Sequence, residues 1–164
     1  AAGVNEVNPE ATVEVVWTFT WFGPEAETQA ANALLEKGAD VLAQHQDSTA
    51  TGLAAEAAGA KWISYNTAYG QDSAPEAFVT APVWDWGPYY VNIVEQIIDG
   101  TFTTESYWGG METGLVSLYD LSSDVPSDTA TLIAEKTEAI IDGTLEVEIV
   151  EEEFISNVIG TVNP

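Results

Sequence analysis

DVLAQHQDSTATGLAAEAAGAKWISY, residues 40–65, reads as strand, helix and strand with almost no connecting chain. Asp40 to Gln44 is short and apolar without alternation, the pattern of a strand buried on both faces of a parallel sheet. An alanine-rich helix follows from about Thr49 to Ala58 and is closed by Gly59, a residue suited to the left-handed end of a helix. Lys61 to Tyr65 then forms the next strand. Two strands joined through one helix by tight loops run parallel with a right-handed crossover. Outward from this unit the alternation continues. Thr12 to Thr20 is β-branched and aromatic and stops at the turn Phe22-Gly23-Pro24. Pro24 opens a helix with acids in its first turn that ends at Lys37-Gly38. Phe78 to Ala81 is a short fourth strand, and a helix from about Pro88 to Ile98 is capped by Asp99-Gly100. Gly114 to Leu118 is another strand, and Ser127 to Asp142 another helix with Ile133, Ala134, Thr137, Ile140 and Ile141 on one side. Leu145 to Ile155 reads as an edge strand or a tail, with Glu151-Glu152-Glu153 as a solvated face. The expectation is an α/β fold with a doubly wound, mostly parallel sheet, and the length asks for no more than one domain.

The charge balance excludes whole classes of partner. The 164 residues carry 27 acids against three lysines, a formal net charge of −24. Nucleic acid is excluded because phosphate binding needs clustered Lys and Arg, and an anionic membrane surface repels such a chain. Disorder is excluded by a hydrophobic content of 46 % with six tryptophans, enough to build a core. The charge is then a folded surface, one that repels itself in dilute buffer and is screened in concentrated salt. Adaptation to a salty environment is one expectation, and a merely acidic, non-halophilic protein is the other. With no cysteine there is no disulfide framework and no thiolate metal site. No run of 18 apolar residues predicts a membrane helix, and Ala1-Ala2-Gly3-Val4-Asn5 has no signal-peptide character. The chain is therefore either cytosolic or a processed or truncated piece of an exported protein.

In parallel α/β sheets ligands bind outside the carboxyl ends of the strands. The loops there are Trp21-Phe22, His45-Gln46-Asp47-Ser48, Tyr65-Asn66-Thr67 and Trp84-Asp85-Trp86, the last inside VWDWGPYY (83–90). Tyr107-Trp108-Gly109-Gly110 adds further rings. None is the glycine-rich cradle of a nucleotide phosphate. Trp21, Trp84, Trp86 and Trp108 are candidates for stacking on a planar ligand, and Asp47, Asn66 and Asp85 for its hydroxyl or amide groups. His45 can donate to or accept from a ring nitrogen. The structural alternatives are equally physical: Asp47 as a cap of the helix that begins near Ser48 or Thr49, Asn66 as a turn residue, and Trp84, Trp86 and Trp108 as hinge packing. Trp17 and Trp62 lie inside strands and are expected in the core. One histidine, no Gly-x-Ser-x-Gly elbow and no cysteine nucleophile leave no catalytic residue, metal site or cofactor to propose. Lys61 stands at the wrong end of its strand to serve a phosphoacceptor site.

The succession VVWTFTWF, GADVLAQHQDS, YN, VWDWGPYY and YWGGMETGLVSL resembles the basic-membrane-protein, or purine-nucleoside-receptor-like, family of substrate-binding lipoproteins of ABC importers. The likeness covers Val13 to Gly143. It implies a type I periplasmic-binding-protein fold, two α/β lobes on a hinge that close over a ligand. On that basis residues 1–100 are the second lobe, 101–143 the hinge crossing with a remnant of the first lobe, and 144–164 a C-terminal tail, with most of the first lobe absent. The resemblance further implies an extracytoplasmic protein, in the periplasm or on the outer face of the cell membrane, held by a lipid anchor outside this chain. Its ligand would be a nucleoside-like or other heteroaromatic small molecule, a purine nucleoside or base first among them, and its partner an ABC permease. Met111-Glu112 stands where the family often carries a lysine after the two glycines, which departs from strict purine-nucleoside specificity. A ligand-sensing regulatory domain on the same fold is the alternative.

Overall fold

Trp62 organises the core. In the computed structural model, whose described residues are 2–147 and 158–161, it lies at the centre of the parallel sheet formed by β2 (Val41–Ala43), β3 (Lys61–Ile63) and β4 (Phe78–Thr80), in the order β2-β3-β4. It is fully buried and meets Phe78 edge to face, the ring centroids 6.1 Å apart. Leu42, Ala31, Ala55, Ala60, Ala74, Ala77 and Ala81 complete the cluster. Two helices cover this sheet. α2 (Pro24–Glu36) starts on a proline whose missing N–H costs nothing at a first turn, and α3 (Ala50–Ala58) ends on Gly59 at φ 71°. Their facing residues, Ala30 and Ala31 on α2 and Ala50 and Ala55 on α3, are buried. The α/β class, the parallel sheet and the core place of Trp62 are as the sequence predicts.

The sheet is nonetheless divided. Of Thr12 to Thr20 only β1 (Val15–Trp17) is strand, and Phe19 adopts φ 53°, a conformation that breaks an extended run. β1 pairs in parallel with β7 (Val158–Thr161), not with β2. Trp17, expected in the core, is 49 % exposed. The reason is the strand's period of two: Val15 and Trp17 face outward and only Val16 turns inward. Between β1 and β2 lies a cavity of about 40 Å³ lined by Val16, Thr18, Glu27, Leu42, Gln44 and Thr51. The two strands are tied beyond it, where Gln46 Nε2 donates to Thr18 Oγ1 (3.0 Å) and the Asp47 N–H to the Trp21 carbonyl (2.8 Å).

After β4 the chain bends at Ala81 into β5 (Pro82–Trp84), which pairs antiparallel with β6 (Val116–Leu118). A single parallel bridge between Asn66 and Val83 keeps this ribbon beside β3. α5 (Gly87–Asp99) ends on Gly100 at φ 69°, and α6 spans Ser127–Ile141, both close to their predicted limits. Neither helix buries a residue, and from Pro82 to Val147 only Leu115 is buried. Two short helices, α1 (Ala2–Val7) and α4 (Gly70–Ser73), and a 3₁₀ turn at Met111–Thr113 were not expected. Of Leu145 to Ile155, residues 148–155 lie outside the described residues, the three consecutive glutamates among them. Among the described residues no helix is long and apolar enough to cross a membrane.

Candidate functional site

The loop after β2 is shaped from within. Gln44, 7 % exposed, points inward; its Nε2 donates to the carbonyls of Gln46 (2.8 Å) and Ser48 (2.6 Å), while its Oε1 accepts from Trp62 Nε1 (3.0 Å). His45 and Asp47 are thereby left on the outside. The His45 ring stacks on Tyr65 at the end of β3, centroids 5.0 Å apart and planes 20° from parallel. Tyr65 in turn meets Trp84, at the end of β5, edge to face at 6.0 Å. Three strand ends therefore contribute one continuous row of rings. Asn66 beside it sits at φ 63°, a left-handed conformation that Asn tolerates well, and its N–H donates to the Pro82 carbonyl (2.9 Å).

The other predicted residues are distributed around this row. Asp85 Oδ1 accepts the Gly87 N–H (2.9 Å) and so caps the entry to α5. Asp47 does not cap α3: Thr49 is the N-cap residue and the first-turn N–H of Ala50 goes to Ser48 Oγ (3.2 Å). The Asp47 carboxylate is exposed. Trp86 belongs to a second ring group, stacked near Tyr90 (6.3 Å) and edge to face with Tyr89 (5.9 Å), and Tyr89 stacks on Tyr107 at 4.3 Å. This group pins the irregular stretch 101–110 to the start of α5. Trp108 is 98 % exposed and Trp21 69 %, and neither joins a ring pair among the described residues. Tyr65, the middle ring of the row, was not singled out from sequence. Its place as the last residue of the predicted third strand was the available signal.

Such a surface can stack on a flat ring and hydrogen-bond its edge through His45, Asn66 and Asp47. It carries no cation to hold an anionic ligand, since all three lysines are engaged at the surface elsewhere: Lys37 with Glu14 (3.1 Å), Lys61 with Asp124 (2.7 Å) and Lys136 with Glu6 (2.9 Å). The site is also open. The cavity between β1 and β2, at about 40 Å³, is far below the roughly 300–1,000 Å³ of a small-molecule pocket.

A parallel α/β sheet with rings and hydrogen-bonding groups at its carboxyl ends is an arrangement suited to binding a small molecule. The chain belongs to the PnrA-like family of ABC transporter substrate-binding proteins, whose sequence profile matches residues 1–151. A putative ABC transporter glucose-binding protein of Haloferax volcanii is 39 % identical over 90 % of the chain, and a purine-binding protein of Brucella abortus is 40 % identical over 85 %. These relatives are substrate-binding proteins, not enzymes. An ABC transporter solute-binding protein of Conexibacter woesei superimposes on 90 % of the chain with a TM-score of 0.74 at 27 % identity. The chain spans 37 % and 39 % of the two curated relatives and 50 % of the solved structure.

Proposed function

We propose that this chain is the second lobe of an extracytoplasmic solute-binding protein that captures a nucleoside-like or other ring-shaped, uncharged small molecule for an ABC permease. The observation that carries the reading is the row His45, Tyr65 and Trp84 across three strand ends, open on one side. A second lobe closing on that side would complete the pocket, and ligand contacts to both lobes would draw the open form toward the closed one. The antiparallel β5 and β6 ribbon suits a chain that leaves the lobe and returns through a hinge, with residues 1–100 in the lobe, 101–143 in the crossing and 144–164 as a tail. Of the relatives, one is named for purine and one for glucose. Both solutes are uncharged rings with a face to stack and an edge to hydrogen-bond. The protein would work outside the cytoplasmic membrane, at its outer face or in the periplasm, held by a lipid group beyond this chain.

Isothermal titration of the full-length protein with adenosine, guanosine, adenine and glucose in 2 M KCl tests the reading. Saturable binding of a nucleoside or base is expected, with the ligand recovered unchanged. His45→Ala and Trp84→Ala should each weaken binding by roughly 5- to 150-fold, the equivalent of about 1–3 kcal/mol for a stacking partner. Binding of glucose alone would keep the transport role and replace the ligand class. Wild-type affinity in both variants would remove the ring row from the site.

A further inference from the structure

Among the acidic residues that are described, Glu27 stands apart because it is 1 % exposed. A buried carboxylate needs a compensating partner, and no lysine supplies one, since each pairs with another acid. Two hydrogen bonds do. Glu27 Oε1 accepts the N–H of Gly23, the N-cap residue just before α2 (2.9 Å), and Oε2 accepts from Ser48 Oγ (2.6 Å). Ser48 Oγ itself takes the N–H of Ala50 at the start of α3 (3.2 Å). The carboxylate therefore sits between the starts of two helices, where unpaired N–H groups and helix dipoles favour negative charge.

From Ser48 the connections run on into the core. The Ser48 carbonyl accepts from Gln44, and Gln44 accepts from the fully buried Trp62. The chain Glu27, Ser48, Gln44, Trp62 thus holds the inner side of a loop whose outer side presents His45 and Asp47. Gln44 and Ser48 turn inward while His45 and Asp47 turn out. Loosening Ser48 would leave this register without its anchor on α2.

We propose that Glu27 is the positioning residue of the ligand site: through Ser48 it sets the His45 to Ser48 loop so that His45 and Asp47 meet the solute. This rests on the solute-binding reading above. In the full-length protein, Glu27→Gln keeps the volume but offers one acceptor instead of two, and Ser48→Ala removes the link itself. Titrated with adenosine and glucose, each variant should bind the solute that the wild type takes about tenfold more weakly, and the double variant no more weakly than either alone. In a background that carries both His45→Ala and Asp47→Ala the effect of Glu27→Gln should fall below twofold. Losses that simply add to that of the His45→Ala and Asp47→Ala pair, or wild-type affinity in Glu27→Gln, would overturn the proposal. Amide hydrogen exchange decides the loop without any ligand. Residues 46–50 should exchange at least tenfold faster in Glu27→Gln while 61–63 in β3 keep their wild-type rates. Equal acceleration of both segments would make Glu27 a residue of general stability only and would overturn its positioning role. Should neither solute bind the wild type, the ligand reading fails while the exchange result still accepts or rejects the anchor.

Discussion

Raising KCl from 0.1 M to 2 M is expected to lift the thermal midpoint of this protein by about 10 °C. The chain carries a net charge of −24 and its three lysines are already paired, so the exposed acids of the described residues meet mostly other acids. At 0.1 M salt the Debye length is about 10 Å, enough for neighbouring carboxylates to repel across the surface, and at 1 M it is about 3 Å. The unfolded chain carries the same charges further apart, so repulsion acts mainly against the folded state. Pairwise repulsions of a few tenths of a kcal/mol, summed over the surface and partly shared by the unfolded chain, leave a difference on the order of 3 kcal/mol. For a domain of this size about 1 kcal/mol corresponds to roughly 2–4 °C. Melting curves in NaCl and KCl at matched ionic strength should superimpose. A midpoint that ignores salt would show that the acids are too far apart, or too well solvated, to oppose folding.

The largest effect of a single side chain is expected at Trp62. Its indole lies against two glycines: a Cβ built on Gly52 would come within 2.3 Å of the ring, and one built on Gly70 within 2.8 Å. Trp62→Ala should cost about 3–5 kcal/mol, the range for removing a buried aromatic ring, with a further loss because Gln44 Oε1 is left without its donor. Gly52→Ala pushes a methyl group into the same ring and should cost about 1–3 kcal/mol as an overpacked core. The two positions share one space, so their effects cannot add. Gly52→Ala combined with Trp62→Phe should lose less stability than the sum of the single losses, as urea unfolding of the four proteins would measure. Strict additivity would mean that α3 shifts away from the sheet instead of pressing on the ring.

How much of this could be read from the chain follows from the range over which each signal acts. The α2-β2-α3-β3 unit was legible because its signals are local: Pro24 and the acids of the first turn, the unbroken apolar run at Val41, and Gly59, whose φ of 71° no branched residue would take easily. The loops after β2 and β3 were legible for the same reason, since a parallel sheet puts them on one edge, whereas those after β1 and β5 belong to other sheets. The length of β1 was not. Thr12 to Thr20 has the composition of a long strand, but a strand persists only where a neighbour pairs with it, and the cavity beside Val16 lies where β2 would have to be.

The candidate site divides along the same line. Residue type alone marked His45, Asn66, Trp84 and Asp85 as able to meet a ligand, and the charge balance alone removed nucleic acid and anionic membranes from the list of partners. Which rings touch was settled by distance in space: Tyr65 joins His45 to Trp84 across three loops, Trp86 turns to Tyr89 and Tyr90, and Trp108 stands clear. The sequence by itself determined the α/β class, the parallel unit and the acidity, because each follows from short-range pattern or composition. Only the tertiary structure decided that Glu27 is buried between two helix starts and that Tyr65 completes the row, because those facts depend on residues 21 and 20 positions apart meeting in space.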